Sequence, residues 1–426
     1  DIARFGDYAS PEWGTIKSSE NYERRFVMTF PNETLPRGRC QRTTALYDRL
    51  TAQGAVWGDG FGLEAALWFA NGPEDAHEEP TFRRSRAHEY IAREVKAVRE
   101  AVGLTEIANF AKHSIKGADA RRFLDHVMAG RLPQPGRISL SPMLTPKGKL
   151  YGDLTIACLG EQEFMIFGSG AAQEMHRRWF ELQLDDYDVA YANESRRYHG
   201  IGLSGPNARE LLSRITRDDV AVDAFRFRDI RRTFVAGVPA ILTRLSFSGE
   251  LGYEIYVEPE YQLKLYQSVL EAGADLGLTH YGLRALMSLR LEKSWGVWTL
   301  DFRPDFTAAQ SGMDVFIDWD KDFIGKTAAL AERDAQPTIK LVTMIIDTDD
   351  IDVSNDEAIL KDGECVGYVT SGGYAHPVAK SMAMGYVPVD LASDGTELEV
   401  EINGEMYSAK IVSDPLYDPS GECMRA

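Results

Sequence analysis

The stretch Leu245-Ser246-Phe247-Ser248-Gly249-Glu250-Leu251-Gly252-Tyr253-Glu254-Ile255-Tyr256 sets apolar residues on either side of a Gly-x-x-Gly turn. That pattern predicts a hairpin or a bent strand. In the second arm Tyr253, Ile255 and Val257 fall on one face and Glu254 and Tyr256 on the other. A carboxylate between apolar neighbours needs a partner if it is buried. Glu254 is therefore either a solvent-facing residue of a half-exposed strand or a carboxylate that holds a ligand. A ring N–H beside an amino group, as in a pterin, is a paired donor edge that matches a carboxylate.

Downstream, Gly282-Leu283-Arg284-Ala285-Leu286-Met287-Ser288-Leu289-Arg290-Leu291-Glu292-Lys293-Ser294-Trp295 reads as a helix. Leu283, Met287 and Leu291 make its expected core stripe, and Arg284, Ser288 and Glu292 a polar stripe at i, i+4, i+8. Arg284, in the first turn, either belongs to an intrahelical charge ladder or reaches into a cleft to hold a carboxylate. Upstream, Phe167-Gly168-Ser169-Gly170-Ala171-Ala172 has the look of a phosphate loop but lacks a full GxGxxG and a Walker lysine. It reads as a strand-to-helix turn.

Around these motifs the chain alternates. Arg84 to Val102 predicts a helix with Ile91, Val95 and Val98 inward, and Ala118 to Val127 another with Phe123 and Leu124 inward. Ser114-Ile115-Lys116, Leu154 to Cys158 and Phe164 to Phe167 read as strands, and Gly205-Pro206-Asn207 opens a helix through Leu212. The class is α+β or α/β. Beyond Pro337 short strands dominate (341–346, 366–370, 398–402, 408–412), which predicts a small antiparallel barrel or sandwich. Residues 1–90, broken by Gly54, Gly58, Gly60 and Gly62, carry too little periodic apolar sequence for a core of their own.

Composition narrows the function. The 426 residues are 44% hydrophobic and 26% charged, with a net charge of −18, so neither nucleic acid nor an anionic membrane is an expected partner. No apolar run approaches the ~18 residues of a membrane span. Cys40, Cys158, Cys365 and Cys423 are far apart and read as free thiols of a reducing compartment, the cytoplasm. The eight histidines form no HxH or HxxxH pair, so no metal is expected. The start at Asp1, with neither initiator Met nor signal-peptide pattern, is expected to be a cut from a longer precursor.

Taken in order, the motifs resemble the folate-binding region of the dimethylglycine and sarcosine dehydrogenases, which shares its fold with the glycine-cleavage T-protein. Val102 to Lys112 resembles the family's first strand, and Ser141-Pro142-Met143-Leu144-Thr145-Pro146-Lys147-Gly148 its S-x-M-L-T-P-K-G loop. Gly205-Pro206, Gly249 to Glu254, Leu289 to Lys293, Asp322 to Lys326, Thr370 to Tyr374 and Gly385 to Pro388 follow in the family's order, and Asp1 to Phe5 resembles its passage out of a flavin domain. The resemblance implies an α+β T-protein-like fold with a C-terminal antiparallel β-barrel. It divides the chain into a connecting segment from a flavin domain (1–90), a folate-binding aminomethyltransferase-like domain (91–335) and the barrel (336–426).

The resemblance also implies chemistry. A flavin domain, on the same precursor or a partner chain, would bind FAD and oxidise an N-methyl amine to an iminium. Tetrahydrofolate held by this chain would capture the carbon as 5,10-methylenetetrahydrofolate. Glu254 aligns with the family's pterin-binding Glu and Arg284 with an Arg that contacts the folate, with Phe247 and Tyr253 in the same binding motif. Glu106 aligns with a catalytic Asp, its carboxylate displaced by one methylene, roughly 1 Å. Phe247 stands where the family usually has Tyr, and the Arg near the end of T-proteins is missing around Asn403-Gly404. Two other readings stay open: a redox-neutral demethylase passing a methyl group to tetrahydrofolate, and a folate-binding scaffold without catalysis.

Overall fold

In the computed structural model, which describes residues 9–426, the signal around Gly252 resolves into a hairpin. Val238–Thr243 and Gly252–Val257 pair antiparallel with Thr243 opposite Glu254, and residues 244–251 form the loop between them. This hairpin lies inside a six-stranded sheet ordered Ile230–Val235, Val238–Thr243, Gly252–Val257, His199–Ser204, Val102–Glu106, Leu278–His280. Its neighbours are antiparallel except the last two strands, which are parallel. Helices Ala208–Ile215 and Pro259–Gly273 cover the outer face, where Leu211, Leu212, Leu265 and Val269 pack on Leu203, Tyr253 and Ile255.

A second, five-stranded antiparallel sheet runs Ile138–Leu144, Leu150–Gly160, Glu163–Gly168, Ala111–Lys116, Ala190–Asn193. Helices Ala120–Val127 and Gln173–Leu182 press Phe123, Leu124 and Phe180 onto its Ile115, Leu154 and Ile156. The two sheets meet face to face: Ile138, Ala157 and Phe167 of one share a cluster with Ile230, Ile241 and Tyr256 of the other. The space between them is the setting for the polar residues described below.

Residues 102–112, expected as one strand, are two strands in different sheets. The crossing falls at residues 107–110. Ile107 and Ala108 are both buried, as are Val102 to Thr105 before them, so burial alone does not mark the crossing. The peptide of Asn109 comes so close to Gly170 that a Cβ there would stand 2.1 Å from the Asn109 carbonyl oxygen. Gly170 is thus a packing glycine of the strand-to-helix turn, where Ser169 Oγ accepts from Ala171 N.

The glycine-rich stretch after residue 50 also departs from expectation. Ala55–Gly60 and Leu63–Phe69 form an antiparallel hairpin around Phe61-Gly62, whose φ values are 56° and 82°. Two positive φ values in a two-residue loop match the twist of a hairpin. Gly58 lets Leu67 lie close across the hairpin, since a Cβ there would lie 2.8 Å from Leu67 Cδ2. The hairpin has no core of its own: fully buried Trp68 packs with Val56 and Ala87, at the start of helix Ala87–Glu100.

Helix Leu283–Glu292 lies beneath that helix, with Ala285, Leu286 and Leu289 against Val95 and Val98. The buried stripe is turned from the one expected. Leu283 and Met287 are only partly buried, while Ser288, Arg290 and Glu292 are buried. The polar residues face other elements of the protein on that side.

The C-terminal strands close into a six-stranded antiparallel barrel, in the order Ile339–Ile346, Lys380–Pro388, Glu364–Ala375, Ala358–Lys361, Glu397–Ile402, Glu405–Val412 and back to the first. Leu398, Val400 and Ile402 point into its core by simple alternation. Asn403-Gly404, at φ 52° and 86°, makes the tight turn between its last two strands. Among the described residues no helix is long and apolar enough to cross a membrane.

Candidate functional site

Glu254 projects from the inner face of the six-stranded sheet, opposite to Tyr253 and Ile255, as the alternation predicted. Its Oε2 is braced by Tyr256 Oη at 2.8 Å and Thr243 Oγ1 at 3.4 Å. Its Oε1 takes no protein hydrogen bond among the described residues, and the side chain keeps some exposed surface. Beside it in the register lie Gly202 and then Thr105. Gly202 leaves a bare floor there: a Cβ would come within 3.1 Å of Thr105 Cγ2. Tyr281, whose hydroxyl meets Ser204 Oγ at 3.2 Å, feels the charge of Glu254. Burial raises the Glu254 pKa, against the opposing pull of Tyr256, Thr243 and Lys112.

The opposite wall belongs to the five-stranded sheet. Lys112, Phe167 and Thr155 lie side by side across three strands and so share a face. Phe167 stacks on Tyr256 at 4.9 Å, which fixes that face as the one turned toward Glu254. Asp153, two residues before Thr155, points the same way. No side chain among the described residues donates to its carboxylate, and burial pushes it up to about 7, with Asp301 adding to the shift. Lys112 is fully buried, and burial pulls its ammonium down to about 7 against the attraction of Glu254 and Glu106.

The other expected site residues are distributed differently. Glu106 pairs with Ile201 in the register, at the end of its strand on the helix-covered face of the sheet, where Lys112 feels its charge together with that of Glu254. Its carboxylate accepts from Gln262 of helix Pro259–Gly273 and bonds Thr44, and burial pushes it up to about 7. His199 Nδ1 meets the same Gln262 at 3.2 Å. Tyr253 also faces the outer core, its ring parallel to Phe225 at 6.1 Å, so it is a packing residue there. Phe247, in the 244–251 loop, packs near Trp295 at 6.0 Å. Arg284 reaches out of its helix as expected, but the carboxylate it holds is internal: Glu78 Oε1 at 2.8 Å and Oε2 at 3.1 Å. Ser288 and Glu292 likewise bond off the helix, to Tyr374 O at 2.7 Å and Arg99 Nη2 at 2.9 Å, so no intrahelical ladder forms.

Among the described residues no three His, Cys, Asp or Glu side chains gather as a metal site. The GCVT N-terminal domain family matches residues 46–321, and the glycine cleavage T-protein C-terminal barrel domain matches residues 340–418. This chain belongs to the glycine-cleavage T-protein family. Outside the T-protein core, the FAD dependent oxidoreductase central domain family matches residues 1–44. Human mitochondrial dimethylglycine dehydrogenase is 35% identical over 98% of this chain and 48% of its own length. The 4-methylaminobutanoate oxidase (formaldehyde-forming) of Paenarthrobacter nicotinovorans is 30% identical over 100% of this chain and 52% of its own. The chain thus spans about half the length of these curated relatives. An aminomethyltransferase of Desulfitobacterium hafniense is 28% identical over 78% of this chain and 91% of its own. The fold agrees with the glycine cleavage aminomethyltransferase of Bartonella henselae, at a TM-score of 0.77 and 22% identity, covering 89% of this chain and 98% of that one. The relatives are enzymes that carry this T-protein domain.

Two polar residues between the sheets were not legible in the sequence. Asp153 sits in Tyr151-Gly152-Asp153-Leu154-Thr155, where one acid among alternating residues looks like a surface position. Ala157 on its face and Ile156 on the other are both fully buried, so the strand has no solvent side, and the apolar run that follows was the available signal. Lys112 was hidden by the single-strand reading of 102–112, which left its face undefined.

Proposed function

We propose that this chain binds tetrahydrofolate between the two sheets and loads it with a one-carbon unit from an N-methyl amine, forming 5,10-methylenetetrahydrofolate. The observation that carries this reading is Glu254: one carboxylate oxygen braced by Tyr256 and Thr243, the other free beside the bare Gly202 floor. A flat heterocycle laid on that floor would set its ring N–H and amino group against the carboxylate, a charge-assisted pair. Arg284 would take the carboxylate at the far end of the folate.

The balance of atoms defines what the chain must do. The methylene carbon of a dialkyl iminium adds to one folate nitrogen; a second folate nitrogen closes the ring and expels the secondary amine. Two N–H protons leave the folate. One departs on the amine and one needs an acceptor. Asp153 faces the site, lacks a side-chain partner and sits at about 7, a suitable poise for that acceptor near neutrality. Glu106, the carboxylate expected from sequence, faces the helices and supports the strand that carries Thr105. In this reading the iminium comes from a flavin domain or subunit that holds the FAD. The compartment is reducing, the cytoplasm, in keeping with exposed free thiols at Cys40 and Cys365; cell fractionation checks it.

Titration calorimetry with tetrahydrofolate tests the binding. Glu254→Gln should weaken it at least about tenfold, the scale of one charge-assisted hydrogen bond. Equal affinity in variant and wild type would sink the assignment. Product analysis with the methylated amine and a flavin partner then separates methylene- from methyl-tetrahydrofolate. The methyl product would replace this reading with the redox-neutral demethylase.

A further inference from the structure

Lys112 takes no part in the chemistry above, yet it is a fully buried cation at the base of the site. Strand Ala111–Lys116 places it on the face turned toward Glu254, and its Nζ donates to Phe110 O at 2.8 Å and lies 3.4 Å from Ala108 O. It lies 5.5 Å from the centroid of the Tyr256 ring, whose hydroxyl is the brace on Glu254. Two carbonyl dipoles and an aromatic face suit an ammonium and give a neutral side chain little. The crossing at residues 107–110 supplies both carbonyls, so the link that passes the chain between the sheets also seats this charge.

We propose that Lys112 is a positioning residue of the folate site, whose ammonium keeps the buried Glu254 ionised so that both carboxylate oxygens can accept hydrogen bonds. The proposal rests on the folate reading above. A protonated Glu254 would present an O–H donor to a ligand edge that also consists of donors, and the pairing would fail. The groups facing Glu254 are Tyr256 and Thr243 from its own sheet, Lys112 and, farther along the same face, Asp153 from the opposite sheet, and Tyr281 from the segment before helix Leu283–Glu292. Those facing Lys112 are Glu254, Glu106, Tyr256, His113 and His199. Of the groups facing Glu254, Lys112 alone is a cation. The direction agrees with the competing effects at Glu254, which burial raises and Lys112 lowers.

The test is the pH profile of 5-formyltetrahydrofolate binding by calorimetry, over about pH 5.5 to 8.5, for wild type, Lys112→Met, Lys112→Arg and Glu254→Gln. Wild-type affinity should fall toward acid as Glu254 takes up a proton. Lys112→Met should move that fall to higher pH by about one unit or more, so that near pH 6 it binds about tenfold less tightly than wild type. Near pH 8.5 the two should agree within about threefold. Lys112→Arg, which keeps the charge, should restore the wild-type profile, and Glu254→Gln should bind weakly and without the acid limb, leaving only the pH dependence that Asp153 contributes. An acid limb that stays in place in a folded Lys112→Met overturns the proposal, as does a loss of affinity equal at every pH. If Lys112→Met fails to fold, Lys112→Arg decides: a limb displaced as far as one unit while the charge is kept overturns it. Wild type that does not bind at any pH removes the folate reading itself, a separate result from an unmoved limb.

Discussion

Arg284 takes its carboxylate from within the chain. It leaves its helix to hold a carboxylate, but that carboxylate is Glu78, which also accepts from Trp68 Nε1 at 2.7 Å. A ligand's carboxylate must therefore displace a resident one. Glu78→Gln should raise affinity for tetrahydrofolate by about tenfold, a typical difference between a charged and a neutral partner for Arg. A tetrahydropterin without the glutamate tail should bind unchanged, and calorimetry with both ligands checks this. The two carboxylates of the catalytic question separate in the same way. Asp153→Asn should lower turnover by about 10²–10⁴-fold, the usual worth of a positioned acid or base. Glu106→Gln should leave turnover within about threefold, since a neutral amide can still bond Gln262 and Thr44, and that margin sits well below a catalytic loss. Steady-state assays of both variants decide, and a collapse in Glu106→Gln would restore the sequence-based assignment. The residue types and their order were legible in the sequence. What was not legible was the parity of residue 106, because a face can be counted only along an unbroken strand, and this one ends there.

At the scale of elements, Glu94 of helix Ala87–Glu100 is a buried pin. Its Oε1 accepts from Phe69 N at 2.6 Å and its Oε2 from Gly282 N at 2.8 Å, so one side chain ties the 55–69 hairpin to the start of helix Leu283–Glu292. Burial pushes its carboxyl up to about 8. The unfolded chain releases this proton near 4.5 while the folded chain keeps it to about 8. Between those values the folded state binds more protons, so the stability from this group is full below about pH 4.5 and is lost as pH rises toward 8. Denaturant unfolding at pH 5.5, 7 and 8.5 should show wild type losing up to ~1.4 kcal/mol per pH unit relative to Glu94→Gln. Parallel slopes in the two proteins would refute it. Elements with clean alternation or helical spacing were legible: Gly252–Val257, Glu397–Ile402, and Ala120–Val127 with Phe123 and Leu124 inward. The 55–69 hairpin was not, because its glycines serve close packing and a turn while its apolar face is completed by helix Ala87–Glu100. Local sequence cannot announce a core that another element supplies.

For the whole molecule, the decisive contact is the one between the two-sheet body and the barrel. Arg290 and Asp301 form a fully buried ion pair at 3.0 Å, and Asp301 also accepts from Thr370 and Ser371 of the barrel. Tyr386 Oη, from a neighbouring barrel strand, donates to the Asp301 carbonyl at 2.9 Å. Asp301→Ala would strand the Arg290 guanidinium without its counter-charge and should cost about 3–5 kcal/mol. Calorimetry should show wild type unfolding in one transition and the variant in two, with the barrel melting apart from the body; a single transition in both would refute that coupling. Farther out, Arg84 grips Asp352 with contacts of 2.8 and 2.7 Å and Arg83 pairs with Asp350, on the barrel loop after Ile346. The inner pair is sealed from solvent, but the Arg83–Asp350 pair is open to it. At about 1 M salt the screening length shrinks to about 3 Å and reaches only the outer contacts. Concentrated electrolyte thus opens the outer clasp while Arg290–Asp301 and Ser288–Tyr374 still hold barrel to body, and amide exchange in residues 347–350 is where that freedom would first be seen.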